Sequence, residues 1–287
     1  MGELLIGCSG WSYPQKQEDG GWMGVFYPSK EKLLAYFSQI FKTVEMDSTF
    51  YEKFYNHMSK GTFWGMTKAT PEDFQFSVKV PETITHKKKM DLNQNAFVDL
   101  EDFLEKISPL KTTNKLGAII FQLAPSFTVD DFKNVESFLD RLPAGYDYAV
   151  EFRHGSWQTE GPWEMLKHYN VSTTITDSPD PKLAFLSNPV VTTDHSIIRM
   201  HGRHKGYWYN YLYSKQELEP WLEKVEELRT KTKALRIYFN NHYGGKAVAN
   251  ALQFRKMVGE ELTRSEAKAL EKAEEYISRT TEQRTLT

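Results

Sequence analysis

Thr43-Val-Glu-Met-Asp-Ser-Thr49 sets Val44 and Met46 on one side of an extended chain and Glu45, Asp47 and Thr49 on the other. Period-two alternation of this kind marks a strand whose faces meet unlike surroundings. Further segments repeat it. Phe74–Val80 opposes Phe74, Phe76 and Val78 to Gln75, Ser77 and Lys79; Tyr148–Arg153 opposes Tyr148, Val150 and Phe152 to Ala149, Glu151 and Arg153. Ile119–Gln122, Ile198–His201 and Leu235–Asn240 add Gln122, Arg199, His201, Tyr238 and Asn240 to the polar set. Stretches with helical periodicity lie between these segments, which implies parallel strands with helices outside. The helices cover the apolar faces, so the polar faces point into the sheet's own interior. The economical solution is a closed barrel with a charged upper interior, and sites in such barrels lie where the strands end.

Eight strands are expected, at about 4–9, 43–49, 74–80, 117–122, 147–153, 171–176, 196–201 and 235–240. Helical spacing is read in Ser29–Ile40, in Ala96–Ile107 (closed by Pro109), in Val129–Leu139 after Thr128, in Lys215–Arg229 after Ser214, and in Lys246–Met257. The fold class is therefore α/β, a single (β/α)8 TIM-like barrel domain over residues 1–287 with the barrel at about 4–257. Its sixth βα unit is expected to be irregular, because Pro179, Pro181 and Pro189 interrupt Asp177–Asp194, and an extra charged helix is expected at about 263–280. An open doubly wound sheet would show strands apolar on both faces and a G-x-G-x-x-G turn, which Gly7-Cys8-Ser9-Gly10-Trp11 does not match.

Composition narrows the class. A hydrophobic fraction of 40% supports a sizeable core, and a net charge of −2 argues against a broad basic face, though not against a local basic pocket. The single cysteine, Cys8, excludes an internal disulfide or a multi-cysteine metal site. No apolar run approaches the ~20 residues of a membrane helix, and the N-terminus lacks the layout of a signal peptide. The expectation is a cytoplasmic protein without membrane association. Long connections at Gly10–Pro28, Pro81–Asn93 (with His86-Lys87-Lys88-Lys89) and Gly202–Tyr213 follow strand ends and would crowd one face.

Six ordered strings follow the opening Ile6-Gly-Cys-Ser-Gly-Trp11. They are Glu45-Met-Asp-Ser-Thr-Phe-Tyr51, Lys79-Val-Pro-Glu-Thr-Ile-Thr-His86, Gln122-Leu-Ala-Pro-Ser-Phe127, Glu151-Phe-Arg-His-Gly-Ser-Trp157, Arg199-Met-His-Gly202 and Asn240-Asn-His242. Together they resemble the YecE-like family, domain of unknown function 72, over about residues 4–257. The resemblance implies a TIM-like barrel and no established activity. Asp47 departs from it, since the family pattern leads one to expect asparagine there.

Glu45, Asp47 and Glu151 supply carboxylates and Lys79, Arg153 and Arg199 supply cations, all near predicted strand ends. Buried charges need partners, so an ion-pair network filling the barrel is one reading; the location at the strand ends favours a site. Expected catalytic residues are Glu45, Glu151 and His201. Expected substrate-binding residues are Asp47, Lys79, Gln122, Arg153, His154, Trp157, Arg199, Asn240, Trp11 and Tyr51. Gly244 and Gly245, ahead of the last barrel helix, are expected to bind phosphate. His201 with Glu151, Glu45 and Asp47 makes an N/O set suited to zinc or manganese. No local metal motif accompanies it and the nearby cations oppose it, so no metal or cofactor is expected and a divalent ion stays open. These residues point to an acid–base enzyme acting on a phosphorylated or other anionic small molecule. The alternatives are a glycosidase-like hydrolase using Glu45 and Glu151, and a non-enzymatic nucleic-acid or nucleotide-binding protein using His86–Lys89 and Arg203–Tyr213. The oligomeric state is not legible.

Overall fold

The strands form where alternation places them. A computed structural model describes the backbone of residues 1–285 and the side chains of residues 1–279. Its strands are β1 (Glu3–Ser9), β2 (Thr43–Met46), β3 (Gln75–Lys79), β4 (Leu116–Gln122), β5 (Asp147–Glu151), β6 (Ser172–Asp177), β7 (His195–Met200) and β8 (Ala234–Phe239). They pair in parallel, each with the next, and β8 closes on β1, giving a (β/α)8 TIM-like barrel. β2 and β5 end sooner than alternation predicts, so Asp47 and Arg153 stand just beyond their strands rather than within them.

The helices are α1 (Leu33–Phe37), α2 (Glu52–Tyr55), α3 (Lys60–Lys68), α4 (Ala96–Thr112), α5 (Phe132–Leu139), α6 (Glu160–His168), α7 (Lys215–Lys231), α8 (Lys246–Met257) and α9 (Arg264–Thr285). α1 is shorter than the expected Ser29–Ile40, because residues 29–32 are exposed or nearly so and Lys32 turns left-handed at φ 50°. α4 runs through Pro109 instead of stopping there. Pro109 and Leu110 are buried in its last turn, and that burial offsets the missing N–H. No α-helix follows β6: a 3₁₀ segment at Pro181–Ser187 bridges to β7, the irregular unit the prolines foretell. α2, α3 and α6 had no expectation attached to them; Gly61 and Gly65 in α3 and Gly161 in α6 weaken their signal. No helix among the described residues is long and apolar enough to cross a membrane.

The outward faces of the strands carry Val44, Phe76, Val78, Ile119, Phe121, Val150, Ile198 and Phe239 into one core with the helices. Inside the barrel the filling is layered. Arg236 at the N-terminal end donates to Gln75 and Asp147. A small apolar layer of Ala118, Ile120, Ala149, Ile197 and Tyr238 lies above it. Tyr238 Oη also contacts Thr43 Oγ1 (2.9 Å) and Ser77 Oγ (2.7 Å). The charged layer comes next, at the C-terminal end.

Candidate active site

Arg199, on β7, sits at the centre of the charged layer. Its Nε and Nη2 donate to Glu45 Oε2 and Oε1 (2.7 and 2.6 Å), and its Nη1 donates to Glu151 Oε2. Glu45, Glu151 and Arg199 are all but fully buried. Gln122 links the next strands, accepting from Lys79 Nζ at 2.8 Å and donating to Glu151 Oε1 at 2.7 Å. Arg153 Nη1 reaches the same Glu151 oxygen at 3.1 Å. Asn240 Nδ2 lies 3.0 Å from His201 Nδ1, which leaves His201 Nε2 facing Glu151 Oε1 at 3.5 Å. Side chains from β2, β3, β4, β5 and β7, with His201 and Asn240 just past the ends of β7 and β8, thus meet in one cup.

Asp47 joins the cup to the outside. Its Oδ1 is buried, 3.1 Å from Lys79 Nζ and 3.6 Å from Arg199 Nη2. The side chain as a whole is 24% exposed, so its open portion lies away from those cations. That portion lines a cavity of about 390 Å³ at the C-terminal mouth, walled by Trp11, Tyr13, Tyr51, Phe54 and His242. The long β1–α1 connection builds this wall by burying Trp22, Phe26 and Tyr27 as its own core. Trp22 Nε1 donates to the His242 carbonyl (2.7 Å) and Tyr27 Oη to the Trp11 carbonyl (2.5 Å). The His242 imidazole is stacked between Tyr13 (4.9 Å, 12°) and Tyr209 (5.2 Å, 24°).

Burial and charge set the protonation states. Burial, reinforced by Asp47, pushes the Glu45 carboxyl up to about 7 despite Arg199 and Lys79. Asp47 approaches the same Arg199 guanidinium as Glu45. Burial would raise it, but Lys79 and Arg199 outweigh that and bring it down to about 2. Two interacting carboxyls that titrate this far apart share one proton at intermediate pH. Burial also opposes the charged form of Glu151, yet Arg199 and His201 hold it well below the usual range. Burial and the Arg199 charge bring His201 down to about 4, so it is neutral at pH 7.

Residues 5–275 match the family described as Protein of unknown function DUF72. The chain belongs to the DUF72 family. It is 28% identical to the UPF0759 protein YunF of Bacillus subtilis over 89% of this chain and 94% of that one. It is 27% identical to the UPF0759 protein YecE of Escherichia coli K12 over 61% of this chain and 59% of that one. A crystal structure of a DUF72 family protein from Thermotoga maritima is similar at a TM-score of 0.76 and 33% identity, covering 90% of this chain and all of that one.

Not every residue expected at the site of this DUF72 chain reaches it. Glu45, Asp47, Lys79, Gln122, Glu151, Arg153, Arg199, His201 and Asn240 form the cup, while Trp11 and Tyr51 line the cavity. Trp157 does not; it is buried under the loops, donating from Nε1 to the Phe127 carbonyl (2.8 Å) and stacking on Phe152 at 4.6 Å. His154 is exposed and caps a 3₁₀ turn by accepting from Ser156 N at 3.1 Å. Gly244 and Gly245 are turn residues at φ 65° and 79°. Their N–H groups donate to the carbonyls of Gly20 and His242, so they are not free for a phosphate. The lysines of the His86–Lys89 run pair with Glu52 (2.5 Å), Asp99 (2.6 Å) and Asp131 (3.3 Å). Among the described residues no three His, Cys, Asp or Glu side chains come together as a metal set; the carboxylates turn onto cations instead. Tyr13, Ser48, Phe54 and His242 belong to the cavity and were not among the expected ligands. Ser48 and His242 stand in the ordered strings and just past strand ends, whereas Phe54, within α2, carried no signal.

Proposed function

We propose that this chain is an acid–base enzyme acting on a small molecule held in the aromatic-walled cavity, with the Glu45–Asp47 pair moving the proton. One observation carries this reading: the carboxylate on the cavity wall, Asp47, is the open end of a buried network that Arg199 extends to Glu45, a carboxyl that burial raises to about 7. A proton carrier tuned near the working pH is what general acid–base catalysis needs. Glu151, ionised and fixed by Arg199, positions the network, and neutral His201 braces it through Asn240.

The geometry gives less support to the glycosidase-like alternative, because Glu45 and Glu151 share one guanidinium and neither lines the cavity. It gives less to nucleic acid as well, since the lysine run is matched by carboxylates and strand binding needs unmatched cations. The reading is tested by incubating the protein with a small-metabolite extract in heavy water and in oxygen-18 water, with label incorporation read by mass spectrometry. Turnover of at least one compound is expected, lost in both Asp47→Asn and Glu45→Gln. Turnover that survives both substitutions, or none with any compound, would overturn it.

A second reading keeps the anionic substrate. It rests on Arg153, whose side chain is 17% exposed and lies 5.6 Å from the Trp208 ring, whereas Arg199 is closed inside. Phosphate titration followed by calorimetry at low salt should then show binding that Arg153→Ala removes.

A further inference from the structure

The cavity wall is unusual in its charge. Its lining residues include no lysine or arginine, and Asp47 is their one carboxylate. Lys79 and Arg199, which neutralise part of that charge, approach it from the buried side through Oδ1. Both are committed elsewhere as well, Lys79 to Gln122 and Arg199 to Glu45 and Glu151. What faces the cavity is therefore the negative edge of a carboxylate, set among aromatic rings.

The rings add to this. Trp11, Tyr51 and Phe54 contribute π-systems with negative faces, the surroundings in which a desolvated cation is favoured. His242 lies in the same wall and burial keeps it neutral, so it brings no opposing charge. Its Nδ1 is buried and has no hydrogen-bond partner within the protein. Tyr13 and Tyr209 take both of its ring faces, so His242 serves as a fixed part of the wall.

We propose that the cavity takes a ligand bearing a positively charged, N–H-donating nitrogen group (ammonium, amidinium or guanidinium), with Asp47 as its counter-ion and the aromatic wall as its bed. The proposal rests on the Asp47–Glu45 reading and names its substrate class: the charged nitrogen lies on Asp47. Ammonium and amidinium groups differ in shape but share the donor chemistry and charge that this wall recognises.

The test uses the full chain and matched probes: benzamidinium, its neutral isostere benzamide, and the anions benzoate and inorganic phosphate. Binding is followed by titration calorimetry and ligand-observed NMR at pH 7 and low salt. Benzamidinium should bind at least tenfold more tightly than benzamide or benzoate. That preference should collapse to less than threefold in Asp47→Asn and weaken in Tyr51→Ala, an exposed position where folding is not at stake. Unchanged far-ultraviolet circular dichroism verifies the fold of both variants. Equal binding of benzamidinium and benzamide, a preference for benzoate or phosphate, no binding of any probe, or a preference that persists in Asp47→Asn would each overturn the proposal. The carboxyl pair is read separately, by carbon-13 NMR titration of labelled Asp and Glu. A pair that shares a proton near pH 7 without selecting benzamidinium removes the ligand class alone; a pair that does not share one removes the acid–base reading too.

Discussion

Arg199 commits both ends of its guanidinium inside the barrel, to two glutamates with no exposed surface of their own. Removing one partner from such a cluster leaves the others charged and desolvated, which costs about 3–5 kcal/mol. Arg199→Met should therefore lower unfolding stability by about that amount in urea titrations followed by circular dichroism, and a loss below about 1 kcal/mol would refute this account. Gly245 is a different case. A Cβ there would meet Val25 Cγ1 at 2.6 Å with the backbone at φ 79°, so Gly245→Ala should destabilise by at least about 1 kcal/mol. Its N–H already donates to the His242 carbonyl, so the same substitution should leave phosphate affinity unchanged, as calorimetry would show. Residue types told us that these groups matter, but not why. Trp157 and Trp11 read alike in sequence, and only burial separates a packed ring from a cavity wall.

The element that frames the site most tightly is the segment from Gly202 into α7. Ser214 and Glu217 form a reciprocal cap: Ser214 Oγ accepts from Glu217 N, and Glu217 Oε2 accepts from Ser214 N at 2.9 Å. Glu217 Oε1 also accepts from Tyr211 Oη (2.5 Å) and Arg203 (3.3 Å), and Arg203 forks onto Asp177 at the end of β6. One side chain thus caps a helix and ties down the loop that brings Tyr209 against His242. Ser214→Ala should cost about 1 kcal/mol. Glu217→Ala should in addition raise amide hydrogen exchange in residues 203–213 while sparing β7, a pattern that mass spectrometry resolves. The cap was legible in sequence, as was Thr128 ahead of α5, which accepts from Asp130 N in the 3₁₀ turn leading into that helix, because capping is a local interaction. The short α1 and the helix running through Pro109 were not, because the exposure of residues 29–32 and the burial of Pro109 are set by the tertiary fold.

At the scale of the molecule, the buried titratable groups set how stability varies with pH. His201 falls from about 6.5 to about 4 on folding, so acidification across that window protonates the unfolded chain first and lowers stability. Glu45 rises from 4.5 to about 7, so the folded chain keeps a proton that the unfolded chain releases, and stability falls as pH rises through that window. Between about pH 4.5 and 6.5 the two slopes oppose each other. Depressed His86, His195 and His242 add to the His201 slope, so the wild type should gain stability with rising pH there and Glu45→Gln should gain it more steeply, as urea unfolding at stepped pH would show. Parallel profiles for the two proteins would refute the opposed pair. Below about pH 4 the depressed Glu151 and Asp47 carboxyls add a further acid loss. By itself the sequence determined the barrel and its charged mouth, because a two-residue side-chain period and a helical period are local properties that dictate which face is buried. The partners were decided only by the tertiary structure. Arg199 meets Glu45 across 154 residues of chain, and which carboxyl stays ionised, shares a proton or opens to a cavity follows from distances that only closure of the barrel creates.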